Sequence, residues 1–171
     1  MAQRTSASNT DSDRPGWSDW PGLVANVLLL ASVRRPDLRP RGNLFIVALV
    51  LRLAGVALLA WIGWVHWVLW QHEGYKFIPT SGPFFLIDAI AAALLAVVLL
   101  AWPRPLAGLL SAGFTASTIL ALLISLTVGL FGFNESISAN YVVEALVLEC
   151  GTVAILLAWT VIAASALPWR R

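Results

Sequence analysis

The stretch LFIVALVLRLAGVALLAWIGWVHWVLW, residues 44–70, is apolar over a length that decides the fold class. A helix needs about 20 apolar residues to cross the hydrocarbon core of a bilayer. This stretch is longer than that, and Arg52 is its one permanently charged residue. It therefore predicts a transmembrane helix. Three further stretches have the same character, over roughly residues 83–102, 106–131 and 140–167.

The connections between these four predicted spans are short, which fixes their arrangement. They read QHEGYKFIPTSG, PRP and GFNESIS. Short connections make consecutive helices antiparallel neighbours. Composition agrees with a membrane protein, because charged residues are 12% of the chain, against about 25% in soluble domains. The prediction is an all-α transmembrane four-helix bundle with up-down-up-down topology.

The N-terminal part of the chain differs from the rest in composition. Residues 1–22 are rich in Ser, Asp and Pro and predict a disordered cytoplasmic tail. Residues 23–33 form an apolar run too short to span, flanked by tryptophans and arginines. This run predicts an interfacial helix lying on the inner leaflet, with a short helix packed on the end of the bundle as the alternative. With the basic linker after it, the segment covers residues 23–43, and the transmembrane domain covers residues 44–171.

Basic residues predict the orientation. One side of the predicted bundle carries Arg34, Arg35, Arg39, Arg41, Arg104, Arg170 and Arg171, and the other carries Lys76. Cytoplasmic loops are enriched in Lys and Arg, so both termini are predicted to be cytoplasmic. The chain has ten arginines and one lysine. We interpret this bias as that of a GC-rich bacterium, which makes the inner membrane the expected location.

Four titratable side chains are predicted at a similar depth in the membrane, namely His66, Asp88, Glu144 and Glu149. An ionisable group in hydrocarbon costs several kcal/mol unless it is paired, protonated or hydrated. Together with Arg52, these residues form the candidate binding site. Burial disfavours the charged form of a carboxyl group, so an unpaired Glu149 is expected to be protonated.

The individual residues of this candidate site have alternative explanations. Asp88 and Glu144 lie close to predicted helix N-termini, where the helix dipole stabilises a carboxylate. Glu149 lies deeper, about 13 Å from the predicted start of its span, and has no such explanation. Arg52 either extends to the inner surface or pairs with a carboxylate, most plausibly Glu149. The loop acids Glu73 and Glu135 are expected to be solvated.

The third span carries small residues at every fourth position, namely Gly113, Ser117, Ala121, Ser125 and Gly129. A second row comprises Gly108, Ala112 and Ala116. Small residues at this spacing let helices approach closely in lipid. The rows therefore predict a central packing helix, with a substrate path lined by serine hydroxyls as the alternative.

Several function classes lack the residues that they need. No Walker loop, GxSxG, HExxH or CxxC motif is present, and Cys150 is the single cysteine. The titratable residues include metal-ligand types but have no HxxxH or ExxH spacing. The arginines flank apolar segments, which argues against nucleic acid as a partner. The sequence favours a non-enzymatic protein, names no cofactor, and leaves a homo-oligomer or a membrane-complex partner open.

Two sequence blocks suggest a family. HEGYKFIPTSGPFFLIDAI (residues 72–90) and LTVGLFGFNE (residues 126–135) resemble small four-span membrane proteins common in actinobacteria. The size and layout also look like the DoxX-like superfamily, some members of which are linked to quinone-dependent sulfur oxidation. The resemblance covers about residues 50–165, implies the four-span fold, and assigns no functional residue.

Three hypotheses for function follow. The first is a non-enzymatic accessory or scaffold component of the membrane. The second is a small proton- or ion-coupled transporter that uses Glu149, Asp88 and His66. The third is a quinone-associated redox accessory protein of DoxX type.

Overall fold

Four long helices make up the part of the chain that the structure describes. This computed structural model describes residues 42–165, together with Gly22, Val24 and Ala25. The helices are α1 (Gly42–His72), α2 (Gly82–Ala101), α3 (Pro105–Thr127) and α4 (Val142–Ser165). Each is long and apolar enough to span a membrane, so the predicted all-α transmembrane bundle is confirmed. The predicted tail, and the predicted N-terminal helix apart from its helical Val24 and Ala25, lie outside the described residues.

The outer surfaces of the helices are mainly apolar. Only 22% to 28% of the most apolar window of each helix is buried within the protein. The outward-facing remainder includes many large apolar side chains, among them Ile46, Leu94, Leu120 and Val161. Water would disfavour so much exposed apolar surface, whereas lipid accepts it.

The end of α3 differs from the prediction, which extended this span to residue 131. The helix ends at Thr127 because Gly129 takes a positive φ of 85°. Leu130 and Phe133 then exchange two backbone hydrogen bonds of 2.8 and 2.9 Å, which closes a tight turn. A Cβ atom on Gly129 would lie 2.0 Å from Oδ1 of Asn134. The α3–α4 connection is therefore an ordered turn that folds back over the bundle.

The helices pack unevenly around the bundle. α1 packs against both α2 and α4, and α3 packs against α4, whereas α2 and α3 make few contacts. Small residues allow the close pairs: a Cβ atom on Gly108 of α3 would lie 2.2 Å from Oγ1 of Thr160 in α4. Ala92 and Ala96 lie on the buried face of α2. As a result, α2 and α3 leave a gap between them.

The small-residue row through Gly113 does not form the α3–α4 contact, so its role in helix packing stays a prediction. Gly113 is exposed with open space where its Cβ would be, and Gly129 lies beyond the helix. Ser117, Ala121 and Ser125 line a cavity instead. The second row, through Gly108 and Ala112, supplies the buried face of α3. Both rows have the spacing that predicts helix packing. They lie on different faces of α3, and spacing alone does not say which face packs on α4.

Candidate functional site

A cavity of about 330 Å³ lies at one end of the bundle, between α2 and α3. We call this the cavity end; it holds the α1–α2 and α3–α4 connections. All four helices and both connections contribute to the lining. Its polar residues are His66, Tyr75, Ser81, Asp88, Ser117, Thr118, Ser125, Glu135, Tyr141 and Glu149; its apolar residues include Leu69, Phe84, Phe85, Ala121, Leu122, Phe131, Phe133 and Ala145. Most of the lining surface is apolar.

His66 and Asp88 form a pair across α1 and α2 at this cavity. The Nδ1–H group of His66 donates to the carbonyl oxygen of Ile62 at 2.9 Å, because a carbonyl oxygen only accepts. In neutral His66 the Nε2 atom is therefore unprotonated, and it lies 3.9 Å from Oδ2 of Asp88. The contact is attractive only when a proton resides on Nε2 or on the carboxyl group. A proton on either atom would make this contact a bridge between α1 and α2.

Glu149 of α4 is a buried acid at the same cavity. The residue is 2% exposed, and its Oε2 atom has no hydrogen-bond partner among the described residues. The Thr118 hydroxyl lies beside it but donates its one proton to the carbonyl oxygen of Thr115 at 2.8 Å. The Thr118 oxygen is therefore left as an acceptor, which suits a protonated Glu149. An ionised Glu149 would have the Thr118 hydroxyl as its polar neighbour and no cationic partner among the described lining residues except His66, which already faces Asp88.

Tyr75 and Glu135 close the cavity end. The Tyr75 hydroxyl donates to Oε2 of Glu135 at 2.6 Å, which joins the α1–α2 connection to the α3–α4 connection. Burial, and then the hydrogen bond to Glu135, raise the pKa of Tyr75 above its ordinary value. Tyr75 also packs on Phe85, with ring centroids 4.4 Å apart. We call the Tyr75–Glu135 pair the roof of the cavity.

Aromatic side chains form much of the remaining wall. Phe84 of α2 stacks on Phe131 of the α3–α4 connection, with centroids 5.4 Å apart and planes 8° apart. Phe84 is 49% exposed and Phe131 is 62% exposed, so they stand at the rim of the gap between α2 and α3. Phe131 reaches this place through a backbone φ of 52°, which is unusual for a residue with a side chain.

Two residues of the predicted site lie elsewhere. Glu144 is exposed and accepts a hydrogen bond of 3.1 Å from Nε1 of Trp61. Arg52 donates from Nε to the carbonyl oxygen of Leu99 at 3.0 Å and from its guanidinium to that of Leu100. Arg52 thus binds the C-terminal turn of α2, where the helix dipole favours a cation. The structure brings together His66, Asp88 and Glu149, and separates Arg52 and Glu144 from them.

Sequence reasoning missed the roof and the aromatic wall. The sequence predicts Glu135 to be a solvated loop charge, whereas it accepts a hydrogen bond from Tyr75, a residue of the α1–α2 connection. The available signal was the grouping of aromatic residues at one end of the predicted bundle, in GYKF, PFF and LFGF. That grouping does not reveal that the two connections fold onto each other, because this contact is distant in sequence.

The donor geometry does not form a metal site within residues 42–165. No three side chains of His, Cys, Asp or Glu are close enough together there to hold a metal ion. The paired His66 and Asp88 and the separate Glu149 instead offer proton-exchanging groups in mainly apolar surroundings.

No protein-family model, characterised protein or solved structure matches this chain. Its function is therefore inferred from the cavity itself.

Proposed function

We propose that this protein is a small proton-coupled membrane carrier, which binds a mainly apolar molecule in the cavity and exchanges a proton at Glu149. Of the three hypotheses from the sequence, this one fits the cavity best. The volume of about 330 Å³ lies at the small end of the range for small-molecule sites, about 300–1,000 Å³. The gap between α2 and α3 offers a route from the lipid.

The observation that carries this proposal is the state of Glu149. A 2% exposed carboxyl group with an unpartnered oxygen beside a cavity is expensive for a purely structural role. In lipid, a buried ionisable residue is a functional candidate by default. Under this proposal, the unpartnered Oε2 atom of Glu149 interacts with the molecule bound in the cavity.

The His66–Asp88 pair supports proton coupling independently of Glu149. A proton would make its contact attractive, and Asp88 is 29% exposed at its side chain, whereas His66 is 9% exposed. Asp88 therefore offers the more accessible end of the pair. Two carboxyl groups facing one apolar cavity repel each other when both are ionised, so proton occupancy at Asp88 and Glu149 is coupled.

Orientation and location are part of the same proposal. The arginine distribution supports cytoplasmic termini in a bacterial inner membrane, which places the cavity end on the outer side. A carrier with this orientation takes its molecule from the outer leaflet or the space beyond it. A homo-oligomer through the exposed Gly113 face of α3 remains compatible with the proposal.

Binding of three probes of similar shape but different charge tests the proposal. They are benzyltrimethylammonium, its neutral carbon isostere neopentylbenzene, and the anion phenylacetate. Each is measured by equilibrium dialysis against the protein in nanodiscs, with empty nanodiscs subtracted. We expect saturable binding of at least one probe to wild type.

Matched variants connect that binding to the cavity. Ala121→Phe fills the space between α2 and α3, and Ala116→Phe makes the same change on the exposed side of α3, away from the cavity. Ala121→Phe should abolish binding, and Ala116→Phe should preserve it. Failure of all three probes, or equal binding to the Ala121→Phe protein, would contradict the proposal. The scaffold hypothesis predicts that outcome.

The redox hypothesis makes a different prediction. A quinone would copurify with the wild-type protein and would be absent from the Ala121→Phe protein.

A further inference from the structure

We infer that the molecule bound in this cavity is an organic monocation with an apolar body, such as a quaternary ammonium group attached to a hydrocarbon. The inference rests on the proposed binding function and names its substrate class. It follows from three properties of the described lining: its acidic side chains, its aromatic rings, and the separation of its potential metal ligands.

The charge of the cavity is acidic. Asp88, Glu135 and Glu149 line it, and His66 is the one basic side chain among the described lining residues. Lys76, which follows Tyr75 in the chain, lies exposed with Nζ 5.3 Å from the ring centroid of Phe77. An anion entering the cavity would therefore meet carboxyl groups with no lysine or arginine to balance it, whereas a cation would be attracted.

The wall contributes attraction of a second kind. The faces of aromatic rings carry partial negative charge and bind cations within about 6 Å of the ring centroid. Four phenylalanines and the roof tyrosine line the cavity: Phe84, Phe85, Phe131, Phe133 and Tyr75. Rings of this kind stabilise a diffuse organic cation and its hydrocarbon part together. A neutral apolar molecule gains only the second of these contributions.

A metal cation fits the same lining poorly. Hard metal ions need six or more oxygen ligands, or a compact set of three or four nitrogen and oxygen ligands. The described part of the chain brings no three suitable side chains together, and most of the lining is apolar. The cation must therefore carry its own apolar surface.

Binding of the cation balances the charge at Glu149. The protonated carboxyl group releases its proton, and the carboxylate that remains pairs with the cation. One cation enters and one proton leaves, so the net charge of the cavity is unchanged. The other titratable groups facing the site are His66 from α1, Asp88 from α2, Tyr75 and Glu135 from the roof, and Tyr141 just before α4. α3 contributes only hydroxyl groups.

Selectivity among the three probes tests the inference. We expect benzyltrimethylammonium to bind about tenfold more tightly than neopentylbenzene, a difference of about 1.4 kcal/mol. Phenylacetate should bind more weakly than either. Calorimetry of the cation in two buffers with different ionisation enthalpies should show release of about one proton per cation, and affinity should rise about tenfold per pH unit while that proton is released.

Two matched glutamate variants test whether Glu149 is the group that releases the proton and binds the cation. Glu149→Gln should remove proton release and weaken cation binding about tenfold, while neopentylbenzene binds as it does to wild type. Glu144→Gln, which changes an exposed acid outside the cavity, should behave as wild type. If Glu149→Gln does not fold, the inference is still tested by two measurements on the wild-type protein: the relative affinities of the three probes and the number of protons released per bound cation.

Different results would contradict the carrier proposal and the cation inference. Equal affinity for cation and isostere, or tighter binding of phenylacetate, with Ala121→Phe still abolishing binding, would overturn the cation inference and leave the carrier proposal intact. Absence of binding by every probe would overturn both.

Discussion

The Nε2 atom of His66 lies 3.9 Å from Oδ2 of Asp88, and this contact joins α1 to α2 at the cavity. Because Nδ1–H of His66 donates to Ile62, the contact is favourable only with an added proton on the pair. A proton at this contact would therefore hold α1 and α2 together at the cavity.

A double-mutant cycle should detect that contact. We expect His66→Gln and Asp88→Asn each to lower the free energy of unfolding, and the double variant to lose less than the sum. The interaction free energy should be about 0.5–3 kcal/mol, measured by reversible denaturation in mixed micelles. Strict additivity would show that the 3.9 Å contact carries no coupling.

Arg52 is predicted to stabilise the fold without taking part in binding. Arg52→Gln removes the charged donors to Leu99 and Leu100 and should cost about 1.5–3 kcal/mol, as expected for hydrogen bonds to a charged group. Affinity for benzyltrimethylammonium should stay at the wild-type value. A loss of affinity like that of Glu149→Gln would instead support the salt bridge that the sequence left open.

Two glycines of α3 give a matched test of packing. Gly108→Ala places a methyl group against Thr160 and Trp159 and should destabilise the protein by about 1–3 kcal/mol. Gly113→Ala fills open space and should be neutral or slightly stabilising, because Ala favours helix more than Gly. Thermal unfolding in detergent compares the two. A reversed order would mean that Gly113, in an oligomer, occupies the tighter contact.

Tyr75 should make stability depend on alkaline pH. Its raised pKa in the folded protein, caused by burial and then by Glu135, means that the unfolded chain loses the phenolic proton first. Above the unfolded pKa of about 10, stability should therefore fall by up to about 1.4 kcal/mol per pH unit. Tyr75→Phe should remove this decline, and Tyr141→Phe, which leaves Tyr75 in place, should keep it. An identical decline in Tyr75→Phe would contradict the roof geometry.

The fold was predictable because hydropathy alone defines spans in a membrane protein. α1, α2 and α4 begin and end within about two residues of the apolar stretches that predict them. The end of α3 was placed too late because Val128, Leu130 and Phe131 continue the apolar pattern, while Gly129 turns the backbone. Hydropathy carries no information about that turn.

The candidate site was predictable only in part. Depth along the helices selected His66, Asp88 and Glu149, which line one cavity, and it also selected Glu144, which is exposed and accepts a hydrogen bond from Trp61. Rotation around α4 separates the two glutamates, and their five-residue spacing did not say which one faces the bundle. The gap between α2 and α3 depends on how unevenly four helices pack, and no single helix encodes that.

Proton movement driven by a cation tests the central claim most directly. Proteoliposomes with a trapped pH indicator, at equal pH inside and outside, receive benzyltrimethylammonium on the outside. Exchange at Glu149 predicts that the cation enters, protons leave, and the internal pH rises in wild-type and Glu144→Gln vesicles but not in Glu149→Gln vesicles. An unchanged internal pH with the wild-type protein, or the same rise with Glu149→Gln, would contradict the claim that Glu149 exchanges its proton for the bound molecule.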